Sequence, residues 1–285
     1  MTTVRTVLTI AALTLREATR RRVLMALTVL TVALIALSGW GFSRLAAESG
    51  GSALTSGEAR LTASIVLNLV MFGFSLIAAL GTAFLAGPTV SGETESGIAL
   101  AVLARPIRRS AYLLGKWLGL AVFGSGFVVL AGLAQILVVR ATTDYWPPQP
   151  VAALALLAAQ TTVLLTLGLM LATVISPMAS GIVAVGLFGA TWIAGIIGTI
   201  GEVFSNDGVA RVGTISRMLL PTDGLWRGAM HAFQDPTVLA VYSANEGPHP
   251  FLGDSSLTLT YLGWVVLWVL LMLGLAGVSF RRRDL

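Results

Sequence analysis

The sequence contains no cysteine, which rules out disulfides, thiolate metal sites and thiol nucleophiles and leaves the redox compartment unreadable. Charge is scarce as well. Only 11% of residues are charged and 56% are hydrophobic, against roughly 25% charged in an average soluble domain, so the chain cannot clothe a water-soluble globule. Histidine occurs twice, at His231 and His249, too far apart to build a zinc or proton-relay site without many further groups; both read as loop histidines. No phosphate-cradling G-x-x-x-x-G-K-[ST] is present. Gly115-Lys116-Trp117 lacks the upstream glycine and the following hydroxyl that phosphate and Mg²⁺ require, which excludes ATP binding by a P-loop. G-x-S-x-G and H-E-x-x-H are also missing, so hydrolase chemistry has no visible nucleophile or metal, and no catalytic, cofactor or metal residue is expected.

What the sequence has in quantity is long apolar runs. About 20 apolar residues carry a helix across a ~30 Å hydrocarbon core, and six segments qualify: Val23–Phe42, Leu61–Gly87, Ala111–Val139, Val151–Ile175, Ala179–Gly201 and Leu257–Phe280. They predict an all-α membrane protein with six transmembrane helices. Too little chain is left for a separate soluble domain, so residues 1–285 read as one membrane domain. The third run is overlong, which places its first turns, with Lys116, at the interface. The interiors of the spans hold no carboxylate, whereas proton- or sodium-coupled carriers commonly keep some there. Any transport is then passive or powered by a partner. The amides Asn68, Gln135 and Gln160 lie within spans and read either as helix-to-helix hydrogen bonds or as parts of a substrate route.

Basic residues fix the orientation, because Lys and Arg are retained on the cytoplasmic flank. With both termini inside, Arg5, Arg16, Arg20, Arg21, Arg22, Arg105, Arg108, Arg109, Lys116, Arg281, Arg282 and Arg283 are cytoplasmic, 12 of the 18 basic residues. The acids run the other way: Glu17, Glu93, Glu95 and Asp284 inside and nine outside, giving +8 within and −3 without. The expected location is the cell membrane, with N and C termini cytoplasmic. The overall charge of +5 sits beside apolar runs, where anionic lipid headgroups meet it, and does not signify nucleic acid.

Before the first span Val4, Val7, Leu8, Ala11 and Leu15 recur at helical spacing, with Arg16, Glu17 and Arg20 on other faces. This predicts an interfacial elbow helix. A secretory signal over Thr6–Leu15 or a twin-arginine signal at Arg20-Arg21 fits poorly, since the run after Arg22 is long enough to span. Among the outer loops, Arg140–Pro150 is short, with Tyr145 and Trp146 at headgroup level. The longer Glu202–Ser256 carries two amphipathic helices, Val209–Leu220 and Gly224–Phe233, the second begun by Asp223 as N-cap and stopped before Pro236. Apolar faces so near a membrane predict helices that dip into the outer leaflet or cover the span ends; an ordinary folded loop is the other reading. In the fifth span Gly186, Ala190, Ala194 and Gly198 recur every four residues, a smooth stripe for close helix packing within the chain or against another copy. No internal repeat is visible.

The most informative loop is Ser91-Gly92-Glu93-Thr94-Glu95-Ser96-Gly97, followed by an apolar stretch to Ala104 and then Arg105-Pro106-Ile107-Arg108-Arg109. Acids at its start favour the positive end of a short helix, Ile98, Val102 and Leu103 give that helix a docking face, and Arg105-Pro106 ends it. An interfacial connector held by its basic tail is the simpler reading. The pattern Glu95-x-Gly97, then Leu103, Pro106, Arg109 and Gly115-Lys116, resembles the loop between the second and third spans of ATP-binding cassette (ABC) transporter permeases of the type-2 exporter class. The elbow helix, the six spans and the helical outer segment are similar too. Where the family usually has Gly-Thr-Leu, this sequence reads Gly97-Ile98-Ala99-Leu100.

The resemblance implies a dimer of permeases, each seated on a separate ATPase that binds ATP and Mg, with Glu93–Ala104 as the coupling helix. Glu93, Glu95, Gly97, Leu103, Arg105, Pro106 and Arg109 would then couple to the ATPase. It further implies that the first and fifth spans meet the second copy, which would assign Gly186, Ala190, Ala194 and Gly198 to that interface, and that Asn68 lines the translocation path. The expected activity is export by alternating access, with no catalysis in this chain. Alternatives are a subunit that transmits ATP-driven motion to an extracytoplasmic protein docked on 202–256, or a passive or ion-coupled carrier.

Overall fold

The structure is a computed structural model that describes residues 3–20, 22–48, 57–93, 97, 104, 107–235 and 256–282. Among these residues it is helical, with no strand. The elements are α1 (Thr3–Ala18), α2 (Arg22–Glu48), α3 (Gly57–Gly87), a single π turn (Pro88–Gly92), α4 (Arg109–Thr143), α5 (Pro150–Ala172), α6 (Pro177–Val203), α7 (Asp207–Leu219), α8 (Thr222–Phe233) and α9 (Leu259–Arg282). Prolines at the first positions of α5 and α6 start both helices where a missing N–H costs nothing. Among the described residues five helices have the length and apolarity to cross a membrane: Leu24–Arg44, Arg109–Thr143, Pro150–Ala172, Pro177–Val203 and Leu259–Arg282. In α3 the stretch Ser64–Ala78 is apolar.

The core forms along α3, which packs against α2, α4, α5 and α6. Leu67, Met71 and Phe74 of α3 join Ile136 of α4, Leu154 and Leu157 of α5 and Trp226, Met230 and Phe233 of α8 in one buried cluster. A second cluster at the other end of the bundle joins Ile10 of α1, Leu85 of α3, Tyr112 and Leu120 of α4, Leu169 of α5 and Phe280 of α9.

The elbow helix α1 is docked on the bundle by part of its surface. Ile10, Ala11, Thr14 and Ala18 are buried against α4, whose Gly115 and Gly119 admit them. A Cβ on Gly115 would lie 2.6 Å from the Cβ of Ile10, and one on Gly119 2.6 Å from the Ala11 carbonyl oxygen. Glycines four apart thus form the seat for α1. Val4, Leu8 and Leu13 remain exposed on either flank of the buried face.

At the far end α7 and α8 are built into the bundle. Almost all of α8 is buried, including Leu225, Trp226, Met230 and Phe233, and Phe72 of α3 sits against both Trp192 and Trp226, at 4.7 and 5.4 Å between ring centroids. Asp223 does not cap α8, as its sequence position predicts: the helix starts at Thr222. Its carboxylate instead receives the Nε–H groups of Arg217 at 3.1 Å and Arg227 at 3.0 Å, because two guanidiniums offer more to a 3% exposed carboxylate than the backbone does. The end of α7 is capped from α9. Tyr261 Oη donates to the Arg217 carbonyl (3.1 Å), Trp264 Nε1 to that of Met218 (3.1 Å) and Trp268 Nε1 to that of Leu219 (2.8 Å), so an aromatic stripe on one helix satisfies the free carbonyls of another.

Candidate functional site: the junction at the root of the 88–108 loop

The loop leaves α3 through a clamped turn. A Cβ on Gly87 would strike the Pro177 carbonyl oxygen and come within 2.8 Å of Ser180 Oγ, so the end of α3 lies directly on the start of α6. The π turn then delivers Glu93, which is 8% exposed, into the bundle rather than away from it. Its two carboxylate oxygens accept from Tyr112 Oη and Lys116 Nζ, one turn apart on α4. The ammonium of Lys116, 7% exposed, also lies 3.5 Å from Glu17 Oε2 on α1. Charge-assisted bonds in a place this dry are among the stronger polar contacts a protein makes.

A second tie runs to α9. Arg109, the first residue of α4, donates from Nη1 to the Arg281 carbonyl at 3.0 Å and reaches that of Phe280 at 3.5 Å, a cation placed where the α9 dipole is negative. Tyr112 stacks on Phe280 with centroids 5.9 Å apart and planes at 13°. One corner of the molecule therefore joins α1, the root of the loop, α4 and the end of α9. A displacement of residue 93 must move Lys116 and Tyr112 or break a buried ion pair.

Of the residues singled out for coupling, Glu93 and Arg109 meet in this junction, while Glu95, Leu103, Arg105 and Pro106 lie outside the described residues. Gly97 has φ of 76°, the left-handed region that glycine tolerates best. The rest of the coupling helix expected over Glu93–Ala104 lies outside the described residues, apart from Glu93 and Ala104. Tyr112 and Glu17 are missed by sequence reasoning; the signal for the first was its i, i+4 spacing to Lys116 on a helix.

The small-residue stripe divides. Gly198 faces α7 of the same chain, where a Cβ would lie 2.7 Å from the Gly213 Cα, and the Ala194 carbonyl oxygen is 3.4 Å from a Cβ built on Gly213. Gly186 has open space around it, and Ala190 is exposed. Asn68 is fully buried on α3, beside Leu67 and Met71 of the central cluster. The other two amides bridge helices: Gln135 Nε2 donates to Ser38 Oγ at 2.5 Å and Gln160 Oε1 accepts from Ser75 Oγ at 3.0 Å.

A bundle of long apolar helices, with an elbow helix and a loop root locked into one polar corner and two short helices set into the opposite end, is the architecture of a multi-pass membrane protein. Residues 8–285 match the model of the ABC-2 family transporter proteins, and the chain belongs to that family. Family and fold together make it a membrane domain of an ABC transporter. None of the curated proteins matches it significantly.

Proposed function

We propose that this chain is the permease subunit of an ABC exporter. Two copies work together, each seated on a separate ATPase subunit that binds ATP and Mg, and the spans reorganise by alternating access as the ATPases close. The observation that carries this reading is the rooting of the 88–108 loop in the Glu93–Lys116–Tyr112 junction. A connector between α3 and α4 needs no such root, whereas a lever does. Motion imposed on the loop by an ATPase would pass through Lys116 to α1 and through Arg109 to α9. In this reading Glu93 and Arg109 anchor the lever, and Glu95, Gly97, Leu103, Arg105 and Pro106 form the part that meets the ATPase.

The same reading has six crossings of the cell membrane with both termini cytoplasmic. Supporting this, α1 and the end of α9 both contact the first turns of α4, which fits an even number of crossings with α3 as the sixth span. The uncovered part of α6 at Gly186 and Ala190, with the exposed Met25, Val29 and Trp40 of α2, is the surface proposed for the second copy. Asn68 is proposed to lie beside the path. The test is the reconstituted complex with Glu95→Ala: the permease should fold and insert, while stimulation of ATP turnover and retention of the ATPase both fall. Unchanged turnover and retention would reduce the loop to a connector and remove the main support for coupling.

A further inference from the structure

The ends of α5 and α9 on the side of the loop do not close on one another. Ser279 Oγ approaches the Thr173 carbonyl at 3.4 Å, and beside that contact a groove of about 580 Å³ runs between the helices, walled by Met170, Val174, Leu275 and Val278 and reaching Arg282. Val278 is 50% exposed and Val174 62%, so the apolar walls are uncovered. Among the described residues no carboxylate lines the groove. A peptide would find few partners there for its backbone, because the last α9 carbonyls at Phe280 and Arg281 are already taken by Arg109. A chain of methylenes ending in a phosphate needs no such partners. It would cover the walls and set a negative charge at the guanidinium of Arg282, the arrangement by which basic pockets between spans hold lipid headgroups.

We infer that the groove between α5 and α9 is a binding site for one anionic phospholipid of the inner leaflet, its acyl chain along Leu275 and Val278 and its phosphate at Arg282. The leaflet follows from the orientation proposed above; the site itself does not depend on export. Because Arg109 holds the neighbouring α9 carbonyls, a lipid wedged here braces the helix end to which the loop root is tied.

Native mass spectrometry of the full chain in detergent, titrated with phosphatidylglycerol or phosphatidylcholine, reads the site without ATPase or transport, so its failure leaves the permease reading standing. The expected result is a retained phosphatidylglycerol adduct, with phosphatidylcholine lost at the same collision energy. Arg282→Gln should weaken the adduct about fivefold, the loss expected for one basic residue facing an anionic headgroup. Val278→Trp, which fills an exposed groove and leaves the core alone, should abolish it. Arg20→Gln, the same charge change away from the groove, should have no effect. Equal retention by the wild type and by Arg282→Gln, equal retention of both lipids, or an equal loss with Arg20→Gln would overturn the proposal, and Arg282→Gln decides alone if Val278→Trp does not fold.

Discussion

Lys116 can stay buried in an apolar bundle only while its counter-charges remain beside it. Glu93→Ala removes the nearer carboxylate and leaves the ammonium facing Glu17 at 3.5 Å. Removing one partner of a buried pair costs about 3–5 kcal/mol when the other charge is left uncompensated; with Glu17 still beside Lys116 this variant should show a smaller but measurable drop in the midpoint of thermal unfolding in detergent, and Lys116→Met added to Glu93→Ala should recover part of it. No loss with Glu93→Ala would mean that the pair is solvated and that the junction does not hold the loop. Gly97 gives a second expectation at this scale. A Cβ there meets nothing within 4 Å, so its φ of 76°, worth about 1–2 kcal/mol for an L-residue, is the reason for glycine within the chain. Gly97→Ala and Gly97→Leu should then lower ATPase stimulation to the same extent; a loss confined to leucine would point to a steric seat on the partner. The sequence singles out Glu93 but does not tell which way its side chain points. Acid at the head of a loop suggests an outward contact, and only the π turn after α3, which has no sequence signature, swings the carboxylate back toward a lysine 23 positions later.

At the scale of elements the same division recurs. All six apolar runs became helices within a few residues of their predicted ends, because length and hydropathy in a membrane are strong signals. The two amphipathic helices that follow α6 were legible too. Their depth was not, since burial of α8 depends on small residues elsewhere: Gly195 of α6 admits the Asp223 carboxylate, whose carbon would lie 2.6 Å from a Cβ on that glycine, and Arg227 Nη2 donates to the Gly195 carbonyl at 2.9 Å. Gly195→Ala should therefore push α8 outward and cost roughly 1–3 kcal/mol as overpacking, while Gly186→Ala, in open space, should leave the unfolding midpoint of the monomer unchanged within about 0.5 kcal/mol. Equal midpoints for the two variants would mean that α8 is not seated on Gly195. The period of the stripe was legible and its partner was not, because Gly198 and Gly186 look alike in sequence although one touches α7 and the other is uncovered. Ala190→Leu is consequently the variant that should weaken pairing of two copies, read as a shift from dimer to monomer at fixed concentration. A variant that stays dimeric would move the interface elsewhere.

For the whole molecule, charge and packing bear on orientation independently. The charge argument counts 12 of 18 basic residues with the termini, the 88–108 loop and the first turns of α4. The packing argument rests on contacts instead of a count: Glu17 of α1 and the Arg281 carbonyl of α9 both lie against the first turns of α4, at Lys116 and Arg109, whereas Tyr145, in the turn after α4, donates at 2.7 Å to the Phe233 carbonyl of α8. One end of the bundle therefore carries both termini and the loop root, and the other carries the 144–149 turn with α7 and α8, whichever side each faces. A single labelled position at each end then fixes the side of every element. Cysteines introduced separately at Ser96 and Ser243 have no native thiol to compete with. In intact cells whose envelope admits an impermeant thiol reagent to the membrane surface, Ser243→Cys should label directly and Ser96→Cys only after permeabilisation. Labelling of Ser96→Cys from outside would invert the protein, separate the loop from any cytoplasmic ATPase and remove the coupling reading with it. Labelling of both from outside would overturn the six crossings proposed above.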